Sequence, residues 1–287
     1  MSKKFIYGGS YTSFQGIFDL YPNATLGFSL RKLSVNYNGN CIRVRRSSDN
    51  ATLDVGFVNN VLDTASLLAF AGASSCFVTI WYNQATNNNA IQTTVVNQPR
   101  IVNNGVLDVK NGKPCLVFNG NQSLILSLNS NLDIVSKMYA YTVASVNGLS
   151  HTAGIVSYAY LDSGIGRYSM LQSNANALFL ATTGVVYAPE IGLTNTSQKI
   201  LTQFIRDTID HRFGVNASSN SSALSGSMFP PTRSNVTFKI GSYSEASSDL
   251  PSLFHIGTIQ EVVNYYNDQE VNRGAIQSNI NGYYGIY

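Results

Sequence analysis

Hydrophobic and polar positions alternate most clearly from Cys76 to Tyr82, where Phe77, Thr79 and Trp81 interleave with Val78, Ile80 and Tyr82. A β-branched and aromatic run of this kind fits a strand packed on both faces, with Trp81 in the core. It breaks into Asn83–Asn89, whose amide side chains bond nearby backbone and tolerate left-handed conformations, so a polar loop at a sheet edge is expected. Similar patterning predicts strands over 41–46, 52–58, 91–96, 101–109, 114–119, 123–128 and 137–146. Asn38-Gly39, Ser47 to Asn50, Asn103-Asn104-Gly105, Asn111-Gly112 and Asn119-Gly120 mark turns among them. Further strands are expected near 153–160, 167–172, 177–182, 199–206, 211–215, 236–242 and 254–266.

Helical spacing occurs three times. Leu26, Leu30 and Leu33 follow Asn23 as a candidate cap, and Asp63 caps a short helix over 64–70 that buries Leu67, Leu68 and Phe70. Near the end, Asn267 to Glu270 resembles a capping box ahead of Ala275, Ile276, Ile280 and Tyr283, with Val271 at the margin of that face. Many short strands with no βαβ rhythm define an all-β sandwich with short peripheral helices and a C-terminal helix. Residues 1–17, rich in Gly, Ser, Phe and Tyr, read as an arm that docks on a partner or frays, and 18–287 as one domain.

Composition narrows the functions. Charged residues are 11% of the 287, against about 25% in an average domain, so Asn, Ser, Thr, Gln and Tyr must cover the surface. A net charge of +3 without a basic cluster excludes a nucleic-acid footprint. The one dense group is Arg43, Arg45 and Arg46; an anion clamp there competes with ion pairs to Asp49 or Asp54, which are the simpler reading. Cys41, Cys76 and Cys115 sit in or beside apolar runs as buried thiols, and they and the three histidines show no metal-ligand spacing. No metal or cofactor is expected. No signal-peptide core, no apolar run of membrane-spanning length and therefore no membrane partner are found, and sequons such as those at Asn23, Asn50, Asn195 and Asn235 are read as unmodified.

The run from Asp63 to Gln84, with Asp-Thr-Ala-Ser, Phe70, Cys76 and Trp81-Tyr82-Asn83-Gln84, resembles the concanavalin A-like catalytic domain of the α-L-arabinofuranosidase B family. Other segments resemble LamG-like relatives among phage structural proteins: Ser29 to Leu33, Ile42 to Asn50, Gly112-Lys113-Pro114 and Asn279 to Tyr284. The resemblance spans residue 18 to 287 and implies a concanavalin A-like jelly-roll β-sandwich. In the enzymes a glutamate nucleophile lies on a mid-chain strand and an aspartate acid/base follows a Gly-Gly pair, because a retaining glycosidase needs two carboxyls flanking the bond. Here Arg167 to Met170 offers no carboxylate, Tyr243 stands where the aspartate would fall, and no vicinal cysteine pair exists.

These departures imply a non-enzymatic phage virion protein, a capsid decoration, head-fibre or tail-associated component made in the host cytoplasm. Its expected partners are other virion proteins reached through the arm, further copies of itself, and a host glycan. The alternative is a lectin-like carbohydrate-binding adhesin using Tyr82, Asn83, Gln84 and Asn87, or a glycosidase with relocated carboxylates, Asp162 and Glu245. Asn83, in place of the enzymes' aspartate, can equally order the sheet edge through amide hydrogen bonds.

Overall fold

Where the alternation is strongest the chain forms the strand Cys76–Trp81, and two sheets fork from it in the computed structural model. The structure describes residues 14–128, 137–147, 153–160, 166–172, 177–182, 185–192, 197–205, 210–216, 218–223, 236–244 and 251–287. Ile80 and Trp81 pair with Ala90–Ile91, which continues through Leu124–Leu128, Val236–Ile240 and Ala153–Tyr160 to Gly166–Gln172. The hairpin of Ala177–Thr182 with Val185–Gly192 extends that sheet. Cys76 and Phe77 instead pair with Arg100–Asn103, which leads through Leu116–Asn119 and Ile256–Tyr265 to Met138–Val146, Lys199–Ile205 and Asp210–Val215. Ile42–Arg46 and Thr52–Val55 form the expected hairpin on the other edge of the forking strand.

The pairings are antiparallel, and the inward faces share one core that includes Phe28, Trp81, Leu116, Phe118, Phe238 and Val262. The β-sandwich expected from the sequence is the fold observed. A second core lies outside it, where Tyr139, Tyr141, Val263 and Tyr265 meet Ile276, Ile280 and Tyr284 of the C-terminal helix Arg273–Tyr284. Residues 1–13 of the expected arm are outside the described residues, while Ile17 belongs to the short helix Ile17–Leu20 and is fully buried.

The forking strand buries one face, not two. Arg43 lies opposite Ile80 but Val44 opposite Val78, so Thr79 is an extra residue, a β-bulge that shifts the alternation and turns Trp81 to the same side as Cys76 and Val78. Thr79 Oγ1 donates to Arg43 O at 3.2 Å, fixing the bulge. Trp81 packs against Phe28 with ring centroids 5.9 Å apart.

Three expected elements change. The helix expected at Leu26 to Leu33 is the strand Leu26–Ser29, paired with Glu261 to Asn264 and buried throughout; Leu26, Phe28 and Leu30 also fit a period of two, and tertiary pairing selects it. The strand expected over 91–96 stops at Ile91, because the Gln92 side chain accepts from Thr94 N and donates to Ser123 O. The C-terminal helix begins at Arg273 rather than after Asn267, whose Nδ2 donates to Asn23 O while Asp268 accepts from Glu270 N. Asp63 caps Thr64–Ala71 as expected, accepting from Ser66 N at 3.0 Å. Val185–Gly192 and Ser218–Ala223 are strands that patterning misses, the first carrying Pro189 and the second almost no apolar side chain.

Candidate functional site

The Asn-rich loop is built inward. Asn83 is 2% exposed; its Oδ1 accepts from Gly27 N at 2.8 Å and Ala85 N at 3.0 Å, and its Nδ2 donates to Thr25 O and Thr86 Oγ1. Gln84 Oε1 accepts from Leu33 N at 2.7 Å, and its Nε2 donates to Ser29 O and Arg31 O. The two side chains replace a neighbouring strand along the edge of Leu26–Ser29 that Ile256–Tyr265 leaves unpaired. Asn83 and Gln84, expected as glycan ligands, thus have their amides committed largely to backbone. Tyr82 donates its hydroxyl to Asp54 at 2.6 Å, and burial followed by that bond raises its pKa. Asn87 alone of the four stands exposed on the loop.

Arg43 and Arg46 are ion-paired with Asp54 and Asp49, at 2.6 and 2.7 Å, and Arg45 bonds Gln98 and Asn50, so the basic group is internally satisfied. Several other carboxylates are similarly engaged. Asp19 holds Ser34 and two backbone amides, Asp108 pairs with Arg100, and Glu261, fully buried, is held by Arg31, Ser29 and Tyr284. Asp268 and Glu270 both face the Tyr139 hydroxyl, at 3.2 and 3.3 Å, but within an ion-pair network with Lys137, Arg212 and Arg273. Cys41, Cys76 and Cys115 are buried thiols, and among the described residues no cluster could hold a metal.

One end of the sandwich gathers the remaining chemistry. Val156 lies opposite Ile240 and Tyr160 opposite Val236, so the chain beyond Ile240 arrives beside Gly154. There Gly154 lacks a side chain for a reason: a Cβ would stand 2.3 Å from Tyr243 N. Tyr243–Ser244 lies against both Ala153–Tyr160 and Gly166–Gln172, and Ser244 pairs with Pro251; the six residues between them, Glu245 and Asp249 included, lie outside the described residues. At the same end Ser157 Oγ donates to Ser242 O, Ser242 Oγ has no hydrogen-bond partner among the described residues, and the buried His255 ring stacks 5.8 Å from Phe118.

A row across the sheet runs from Gly154 through Leu171 and Phe179 to the irregular stretch between Tyr187 and Ile191, which contains Pro189 and Glu190. Proline donates no ladder hydrogen bond, which accounts for the bulge at this point. Asp162 and Glu245 themselves lie outside the described residues. Their flanking strands nevertheless separate: Tyr160 is ~20 Å along the strand from Gly154 at about 3.3 Å per residue, whereas Ser244 adjoins Gly154. The topology brings the strand that contains Glu190 and the strand that ends at Ser244 toward the Gly154 end, whereas Tyr160 ends its strand at the other.

A family model described as the α-L-arabinofuranosidase B catalytic domain matches residues 23–125, little more than a third of the chain. The fold is similar to a GH54 α-L-arabinofuranosidase soaked with a cyclic sulfate inhibitor, at TM-score 0.65 and 14% identity. It is also similar to a Glu→Gln variant of such an enzyme soaked with 4-nitrophenyl α-L-arabinofuranoside, at TM-score 0.67 and 15% identity. A third similar structure is an arabinofuranosidase complexed with arabinofuranosyl-α-1,2-xylobiose, at 0.66 and 16%. Each match covers 92% of this chain, which spans 64% of the length of those chains. Among curated proteins none matches.

These findings overturn the expectation of a non-enzymatic phage virion protein. The matched family model is an arabinofuranosidase catalytic domain, and the similar structures above are arabinofuranosidases. The inference of no activity rested on the carboxylate-free stretch Arg167 to Met170, on Tyr243 in the aspartate's place and on the missing vicinal cysteine pair; the strand Val185–Gly192, which contains Glu190, was not among those expected.

Proposed function

We propose that this chain is an arabinofuranosidase-like glycoside hydrolase domain that cleaves terminal α-L-arabinofuranosyl groups. The observation that carries the reading is the family-model match at residues 23–125 within a fold that parallels arabinofuranosidase structures over 92% of the chain. The catalytic carboxyls are drawn from the Gly154 end of the sandwich: Glu190 as nucleophile and Glu245 or Asp249 as acid/base. Gly166–Gln172, against which Tyr243–Ser244 lies, is two strands from Glu190, about 10 Å at the usual strand spacing. The acid/base protonates the leaving oxygen as Glu190 attacks the anomeric carbon, then deprotonates the water that releases arabinose.

The test is hydrolysis of 4-nitrophenyl α-L-arabinofuranoside by the purified chain. Glu190→Gln is expected to lower kcat by about 10³-fold, in the range of a lost catalytic carboxyl, and either Glu245→Gln or Asp249→Asn to slow the enzyme and shift its pH profile. Absence of arabinofuranosidase activity in the parent chain sinks the reading; full activity in Glu190→Gln removes this nucleophile but not the reaction class.

A further inference from the structure

We infer that a second saccharide site lies at the opposite end of the sandwich, in the cavity between the N-terminal helix and the Asn-rich loop. This cavity, of about 400 Å³, is lined by Phe18, Asn23, Ala24, Ser34, Gln84 and Ala85. Its size falls in the ~300–1,000 Å³ range of small-molecule sites. It is remote from the proposed catalytic end: Thr25 N bonds Asn264 O, while Gly257, which adjoins His255, lies seven residues back along the same strand, ~23 Å at about 3.3 Å per residue.

The walls suit a neutral sugar ring. Phe18 is half-buried and presents an aromatic side; it rests over Gly27, where a Cβ would come 2.5 Å from the ring, and meets Tyr265 edge-on at 6.2 Å. Its backbone is pinned by Phe18 N donating to Leu33 O at 2.8 Å. The Gln84 amide is fully engaged with strand backbone, so that wall is rigid without presenting a charge. Ala24 and Ala85 keep the floor open, and every lining residue is uncharged. Asp19, next to Phe18, is saturated by Ser34 and the amides of Gly16 and Val35.

Polar contact is left to Asn23, exposed, with a carboxamide that has no hydrogen-bond partner among the described residues, and to the remaining lone pair of Ser34 Oγ. One apolar face, a free amide and a hydroxyl, held without any ion, match a pyranose or furanose: its C–H face against the ring, its hydroxyls toward Asn23 and Ser34. None of the lining residues carries a charge to pair with an ionic ligand.

The test uses the full chain carrying Glu190→Gln, titrated with xylobiose and with arabinofuranosyl-α-1,2-xylobiose while the amide resonances of Ala24, Ser34 and Ala85 are followed by NMR. They are expected to shift together and saturate at millimolar sugar. Ala85→Leu, which fills the cavity, should weaken this response at least tenfold, and Asn23→Gly about fivefold. Glycine suits the positive φ of 68° at that position, so folding is retained. In the chain that keeps Glu190, both variants should hydrolyse the nitrophenyl glycoside at the parent rate. Unmoved resonances at these three residues, or a response indifferent to Ala85→Leu, overturns the inference whether or not the chain is a hydrolase. An Ala85-sensitive response in a chain without hydrolytic activity supports it and rejects the catalytic reading alone.

Discussion

Gln84 shows how much one side chain can hold. It joins the loop to three backbone groups of the segment 29–33, more than fifty residues away in sequence. Gln84→Ala leaves Leu33 N–H and Arg31 O without their partner inside the protein, and Ser29 O with the Cys41 thiol. At about 1–3 kcal/mol for a buried group left unsatisfied, the expected loss is about 2–4 kcal/mol in urea denaturation. Asn87→Ala, on the exposed part of the same loop, should stay within about 0.5 kcal/mol. That Asn83 and Gln84 would bond backbone was legible from residue type; which backbone was not, because the partners are set by a strand whose own identity depends on pairing with the last strand.

Asp49 gives a pH prediction at the same scale. The Arg46 hydrogen bond, helped by Ala51 N, holds its carboxyl at about 2, below the ordinary 3.8. A carboxyl depressed in the folded state contributes stability above the ordinary value, and that contribution is lost as pH falls from there through about 2. An NMR titration should find the Asp49 midpoint near 2, and Arg46→Met should return it toward 3.8.

Between elements, the main lock is Arg31 with Glu261. Arg31 Nε and Nη2 both donate to the buried carboxylate, at 2.8 and 2.9 Å, while Nη1 reaches Asn279 of the C-terminal helix and the guanidinium lies 4.9 Å from the Tyr283 ring. Burial works to lower the Arg31 pKa, but Glu261 outweighs it and the net shift is upward. One pair thus ties the first strand region, the last strand and the helix. Arg31→Met strands a buried carboxylate and should cost about 3–5 kcal/mol, whereas Arg31→Met with Glu261→Met should recover most of it, as a double-mutant cycle would measure. The C-terminal helix and the last strand were each readable from periodicity, whereas the first strand was not. The bulge at Thr79 was not, since Thr79 and Ile80 are acceptable on either face of a strand and only the register with Arg43 and Val44 shows which residue is extra.

For the whole molecule, topology decides which strand ends meet. Asp162 follows Tyr160, at the far end of the strand that brings Gly154 to Tyr243. Asp162→Asn should therefore keep activity on the nitrophenyl glycoside within about twofold, a smaller effect than any catalytic carboxyl allows; a large loss would return that residue to the site. The distinction is invisible in sequence, where Asp162 and Glu190 are both acidic residues between short strands.

The sequence by itself determined the material of this protein: an all-β chain, its turns at Asn-Gly pairs, its Asp63-capped helix, buried thiols and a weakly charged surface. These follow from local preference and patterning, which act within a few residues. Tertiary structure alone decided that Leu26–Ser29 is a strand, that the strand Cys76–Trp81 forks into two sheets, and that its amide-rich exit is an edge cover. It also decided that the row from Gly154 through Leu171 and Phe179 ends at the irregular stretch that contains Glu190. Pairing between strands far apart in sequence has no local signature, and in a sandwich that pairing decides which side chains meet.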